Sequence, residues 1–395
     1  MRIRPFSIQI PESTLSDLKA RLTRTRWPDA IEDSGWTQGA SAEYMNEIVD
    51  YWQNQFDWRA QESAINQRSH FLADIEGLSI HFIHEQGLGP RPLPLVITHG
   101  WPGSFVEMLK LIPLLTDPAT HGAAAEDSFD VIVPSMPGYG FSSASTVPGM
   151  NAWRIAELWV QLMNGLGYRR FGAQGGDWGA SVGSCIGLVS PANLIGLHLN
   201  YIPGSFKPFL DSQTPPLSEN EIAFLQSQDE WLQAEGAYGH LQATKPQTPA
   251  FALNDSPAGL AAWIIEKFRD WSDCEGDIER RFTKDELLTN VMIYWATQTI
   301  HSSMRLYYEG RQRPLHLKRG QRVEPPCAVA RFSKEAPFPP REWVERAYNI
   351  QRWTEFPAGG HFAAMEEPEL LAADIRAFFR PLRCEVGVVS RFAVE

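Results

Sequence analysis

Basic residues are in short supply in this chain. Its 35 lysines and arginines face 47 aspartates and glutamates, a formal net charge of −12 with a pI near 5.4. That balance argues against nucleic acid or an anionic membrane surface as the main partner, since both demand a cationic face. Cysteine is also sparse. Cys185, Cys274, Cys327 and Cys384 share no C-x-x-C or metal-ligand spacing, so a reduced, intracellular setting is expected rather than a disulfide scaffold or zinc site. No apolar run reaches the ~18 residues that suggest a membrane span. Residues 1–13 hold no apolar core of signal-peptide length, and the expectation is a soluble, cytoplasmic protein without a membrane anchor. Internal repeats and low-complexity stretches are missing as well. What remains is an ordinary globular composition, 43% hydrophobic and 21% charged over 395 residues. It leaves room for one large α/β domain with an insertion, or for two domains. The 14 tryptophans suggest a broad aromatic interior, most of it plain core.

Hydrophobic periodicity divides the chain into four parts. Residues 1–76 read as helices over 12–22 and 41–56 with a loop between them and no strand, a helical meander that must pack on something else. Residues 77–200 alternate strands (78–83, 93–98, 129–134, 170–174, 195–199) with helices (105–115, 152–166, 180–188). That alternation predicts a mostly parallel, doubly wound α/β sheet. Over residues 201–322 the strand signals stop, and helices at 219–233, 258–271 and 284–308 are joined by proline-rich turns such as Lys245-Pro246-Gln247-Thr248-Pro249. Residues 323–395 resume the alternation with strands at 327–332 and 351–356 and a helix at 368–379. A helical insert between two halves of one sheet is the layout of a cap over an active site.

Chemistry concentrates where strands meet helices. Gly175-Gly176-Asp177-Trp178-Gly179 follows an apolar strand and opens a helix. This is the sharp turn that, in α/β-hydrolases, exposes a nucleophile between small residues. A surface aspartate turn is the plain alternative. A carboxylate at that turn is already ionised at neutral pH and suits displacement at a saturated carbon, as in an epoxide or alkyl halide. In the order nucleophile, acid, histidine, the histidine belongs in the loop after the last strand, where Gly359-Gly360-His361-Phe362 stands. An acid after the penultimate strand would hold its tautomer. Glu335 is the leading candidate, with Glu324 and Glu342 behind it. His99-Gly100-Trp101-Pro102-Gly103 occupies the loop that contributes one backbone N–H to an oxyanion hole. The other donor would be Trp178, the residue after the nucleophile. A phenol that helps the leaving oxygen depart must come from Tyr238, Tyr294, Tyr307 or Tyr308, and spacing does not choose among them.

Taken in order, further segments carry a resemblance: Arg26-Trp27-Pro28-Asp29, Asp57-Trp58-Arg59, Pro137-Gly138-Tyr139-Gly140-Phe141-Ser142, Leu253-Asn254-Asp255-Ser256-Pro257 and Gly359-Gly360-His361-Phe362-Ala363-Ala364-Met365-Glu366. With the two motifs above, the chain resembles the microsomal-type epoxide hydrolases, including insect juvenile-hormone and soluble fungal members, over nearly its whole length. The resemblance implies an α/β-hydrolase fold and conversion of a hydrophobic epoxide to a vicinal diol, without metal or organic cofactor. It places the nucleophile at Asp177, the water-activating base at His361, its partner at Glu335 and the cap tyrosines at Tyr238 and Tyr307, with Tyr308 an adjacent alternative to the last. It also implies an oxyanion hole at Trp101 and Trp178, and substrate contacts from His99, Pro102 and Phe141. The rivals are a haloalkane dehalogenase-like enzyme with the same aspartate, and a catalytically inactive ligand-binding scaffold. Oligomeric state, monomer or homodimer, stays open.

Overall fold

The computed structural model describes residues 1–385, which form a single nine-stranded sheet with helices around it. The strands are β1 (Arg2–Phe6), β2 (His70–Ile75), β3 (Leu78–Glu85), β4 (Leu93–Thr98), β5 (Phe129–Pro134), β6 (Phe171–Gly175), β7 (Leu194–Leu199), β8 (Val323–Phe332) and β9 (Tyr348–Phe356). Their spatial order is β1-β2-β3-β5-β4-β6-β7-β8-β9. From β5 to β9 every pairing is parallel, whereas β1, β2 and β3 join as antiparallel neighbours along one edge. β4, β5, β6 and β7 are buried at every residue, as expected of parallel strands covered on both faces. The expected α/β architecture is therefore present.

The reading of residues 1–76 as free of strands is corrected by β1 and β2. β1 is a charged edge strand, Arg-Ile-Arg-Pro-Phe, largely open to solvent. Its proline is tolerated because an edge has no second neighbour to receive the missing N–H, and such a strand has no apolar run to betray it. The helices Glu12–Thr23, Ala42–Asn54 and Trp58–Ile65 follow it and pack on helices Pro257–Trp271 and Lys284–Thr297 of the segment between β7 and β8. Arg21 bonds Asp255 at 2.6 Å and the Tyr51 hydroxyl donates to Asp285 at 2.9 Å across that contact.

Three helices differ from their periodicity. The one expected over 105–115 is a 3-10 turn, Phe105–Met108, followed by helix Leu111–Thr116. Pro113 lacks an N–H and fits only a first helical turn, so the helix restarts just ahead of it. The pattern over 284–308 is two helices, Lys284–Thr297 and Ile300–Gln312, because Gln298 adopts φ 55° and caps the first. Conversely, the presumed turn around Pro249 is helix Gln247–Leu253, with the proline in the first turn where its missing N–H costs nothing. Among the described residues no helix is long and apolar enough to cross a membrane.

Candidate active site

β6 ends at Gly175, and helix Asp177–Val189 begins two residues later. The reversal in so few residues forces Asp177 to φ 44°, in the left-handed region. A non-glycine residue there costs about 1–3 kcal/mol, although aspartate bears it better than most side chains. The strain lifts the carboxylate clear of the sheet at a helix N-terminus, whose dipole favours negative charge. Trp101 donates its backbone N–H to Asp177 Oδ1 at 2.8 Å. The loop comes this close because position 100 has no side chain: a Cβ on Gly100 would lie 2.3 Å from that of Asp177.

His361 sits in the loop after β9, its backbone N–H donating to the Trp271 carbonyl at 2.8 Å. Its Nδ1 lies 2.9 and 3.1 Å from the two carboxylate oxygens of Glu335, and Nε2 faces Asp177 Oδ2 at 3.5 Å. Glu335, just past β8, is buried. Burial disfavours the imidazolium, but Glu335 and Asp177 outweigh it and raise the proton affinity of His361 well above the usual histidine value. The weaker candidates lie elsewhere. Glu342 accepts from Ser218 and Asn220 at 3.1 and 3.2 Å, and Glu324 is exposed on β8.

Two tyrosines reach the site from the helical segment between β7 and β8. Tyr238, on helix Ala237–Thr244, stacks on Trp101 with centroids 5.3 Å apart and planes 8° from parallel. Tyr307, on helix Ile300–Gln312, meets Tyr238 edge-on at 5.9 Å and the ring of Trp178 at 5.0 Å. Burial, reinforced by the Asp177 charge, pushes both phenols above their ordinary pKa, so each stays a neutral donor. The other two tyrosines point away from this role. Tyr308 is 42% exposed, and Tyr294 donates its hydroxyl to the Gly103 carbonyl at 2.7 Å. Trp178 contributes its ring, while among the described residues the backbone N–H that donates to Asp177 is that of Trp101.

The expected substrate contacts fare differently. His99 borders the space beside Asp177, but Nδ1 lies 2.9 Å from the Gly100 carbonyl and Nε2 accepts the Met136 N–H at 3.2 Å. Burial lowers its pKa to about 4, so it stays neutral at physiological pH, with both ring nitrogens engaged by the backbone. Pro102 is buried, with its carbonyl accepting from Asn290 at 2.8 Å. Phe141 packs with Phe6, His81 and Phe105 at centroid distances of 5.2, 5.4 and 6.2 Å. These ring partners belong to β1, β3 and the 3-10 turn after the Trp101 loop.

Periodicity missed three residues here. Trp271, at the end of its helix, sets its ring 5.2 Å from His361 and 5.1 Å from Tyr238. The Lys267 ammonium lies 4.9 Å from the Tyr238 ring centroid while paired to Glu266 at 2.7 Å. Nothing in a helical pattern distinguishes these two from core. Glu107 is the third, six positions beyond Trp101, and its place after that motif was the available signal. One group of acids near enough to share a cation, Glu235, Glu266 and Asp270, is offset by Lys267 and Arg269.

Comparison with known proteins agrees with this geometry. Residues 3–108 match the family described as epoxide hydrolase N terminus, and residues 94–235 match the alpha/beta hydrolase fold. Epoxide hydrolase 1 of Oryctolagus cuniculus is 41% identical over 98% of this chain and 90% of its own length. The crystal structure of juvenile hormone epoxide hydrolase from Bombyx mori superposes with a TM-score of 0.83 at 33% identity, covering 97% of this chain and 94% of that one. Aspergillus niger epoxide hydrolase gives a TM-score of 0.82 at 29% identity, covering 97% of each chain. An aspartate at the strand-to-helix turn, facing a histidine–glutamate pair on this sheet, together with this breadth of similarity places the chain in the epoxide hydrolase family as an enzyme of α/β-hydrolase fold.

Proposed function

We propose that Asp177, His361 and Glu335, with Tyr238 and Tyr307, convert a hydrophobic epoxide to its vicinal diol through an ester on Asp177. The observation that carries the reading is the contact of one carboxylate, Asp177, with both the Trp101 N–H and the imidazole of a His361–Glu335 pair. Residues 201–322 act as the cap, braced by residues 1–76, over a core made of residues 77–200 and 323–395. The surrounding aromatic rings favour an apolar substrate in a largely dry pocket.

With Oδ1 held by Trp101, Oδ2 is the attacking oxygen. It attacks a ring carbon while Tyr238 and Tyr307 hydrogen-bond the ring oxygen. The carbon–oxygen ring bond breaks as one of these neutral phenols gives its proton to the ring oxygen, which becomes a hydroxyl of the bound ester and leaves a phenolate. Forming the ester also erases the Asp177 charge, one of the two charges that raise the proton affinity of His361. The imidazole is thereby released to act as a base, and it takes a proton from the water that attacks the ester carbonyl carbon. Trp101 N–H stabilises the resulting oxyanion, joined by Trp178 N–H as the geometry tightens. Removing one such donor typically costs about 3 kcal/mol.

Tyr238→Phe and Tyr307→Phe are each expected to slow ester formation on the order of 10²-fold, the scale of one lost oxyanion donor, without changing ester hydrolysis. Single-turnover mass spectrometry separates the two steps. An unimpaired Tyr307→Phe enzyme would remove that residue from the scheme. The whole reading is tested by chromatographic detection of diol from terminal, aryl and terpenoid epoxides.

A further inference from the structure

The His99–Gly103 loop is shaped around two carboxyl groups. Gly100 makes room for Asp177, as described above. Gly103 makes room for Glu107, whose Oε1 would lie 1.6 Å from any Cβ at that position. Glu107 sits in the 3-10 turn Phe105–Met108, is 8% exposed, and lines one small cavity with Asp177, His361 and Gln174. The space open to water centres is about 20 Å³, enough for a single molecule.

Two acceptors on this lining, Glu107 Oε1 and Gln174 Oε1, have no hydrogen-bond partner within the protein, and Gln174 is 2% exposed. Buried acceptors call for donors, and one water brings two. The charged groups facing Glu107 are His361 and Asp177. Nearby Lys110 is turned elsewhere, to Glu286 at 2.5 Å. Burial raises the Glu107 carboxyl to about 8, with His361 and the Gly100 and Ser104 N–H groups offsetting part of the effect. At neutral pH it is an uncharged group that leaves proton abstraction to His361.

We propose that this cavity holds the water that hydrolyses the Asp177 ester, and that Glu107 is its positioning residue. The inference rests on the roles assigned above to Asp177 and His361. In the resting enzyme the two O–H groups donate to Glu107 and Gln174; once the ester has formed and His361 is free to accept, the second turns from Gln174 to His361 Nε2, which leaves a lone pair facing the ester carbonyl carbon. As the new carbon–oxygen bond forms, His361 takes the second proton. The tetrahedral adduct then expels the diol oxygen, which takes that proton back, and the water's first proton, left on the Asp177 carboxyl, returns to the phenolate formed in the first step, so that both the Asp177 carboxylate and the tyrosine are restored.

The test follows both steps by rapid quench and intact-mass measurement in Glu107→Leu and Glu107→Gln. In Glu107→Leu, ester formation stays close to the parent rate while ester hydrolysis falls on the order of 10- to 100-fold, the scale of a misplaced reactant, so the adduct accumulates. Glu107→Gln keeps one acceptor oxygen and is expected to fall between, again in hydrolysis alone. Unchanged hydrolysis in both variants, or equal slowing of both steps, overturns the proposal. Should Glu107→Leu fail to fold, the split between the two steps in Glu107→Gln decides by the same criteria. His361→Gln is run alongside. If it traps an ester and the Glu107 variants do not, only this inference fails. If no ester forms on Asp177 in any of them, the underlying mechanism fails.

Discussion

Asp177→Ala abolishes diol formation in a protein that remains folded, with an expected loss of 10⁴-fold or more, on the order seen when a covalent nucleophile is removed. No neighbouring group can substitute. Glu335 is engaged by His361, and Glu107 is a buried carboxyl held uncharged at neutral pH. The fold survives because the carboxylate contributes little to it. Its bond from the Trp101 N–H is worth about 1.5–3 kcal/mol, and its removal exposes no core side chain. Diol assay alongside circular dichroism checks both halves of the prediction. Diol formation retained in the variant would take the nucleophile away from Asp177.

His361→Gln separates the two chemical steps. Attack by an already ionised carboxylate needs no base, so the ester forms. Its hydrolysis then slows on the order of 10³-fold, within the range assigned to a positioned general base. The enzyme should gain the mass of one substrate molecule and hold it. Stability gives a second readout. A histidine whose affinity for a proton is raised on folding contributes stability that is complete below its unfolded pKa of about 6.5 and fades as pH climbs through the folded value. The variant should therefore lag the parent most in acid, with the gap narrowing toward alkaline pH. A variant that turns over normally, or one that never forms the adduct, places the base elsewhere.

Much of this is legible in the amino-acid sequence alone. The central strands announce themselves because parallel β4 and β5 are continuous apolar runs, and the residues expected over 93–98 and 129–134 are the ones observed. The meeting of Asp177, His361 and Glu335 is legible because each stands in a loop that follows a particular strand. Other features depend on contacts that a linear pattern does not encode. β1 is an exposed edge strand, visible only through its pairing with β2. The break at Gln298 is a single left-handed residue inside an otherwise helical stretch. Phe141 is a substrate contact by resemblance alone, and its ring turns toward Phe6. Tyr307 and Tyr308 are indistinguishable by spacing. A helix turns about 100° per residue, so one of the pair faces Trp178 while the other is 42% exposed.

The central claim is that an oxygen of Asp177 becomes an oxygen of the product. It is tested most directly by a single turnover in H₂¹⁸O, with enzyme in excess over epoxide and the diol analysed by mass spectrometry. The account predicts unlabelled diol from that first turnover and one heavy oxygen left on the peptide containing Asp177. Heavy diol in the first turnover, with an unlabelled Asp177 peptide, would mean that water opened the ring directly.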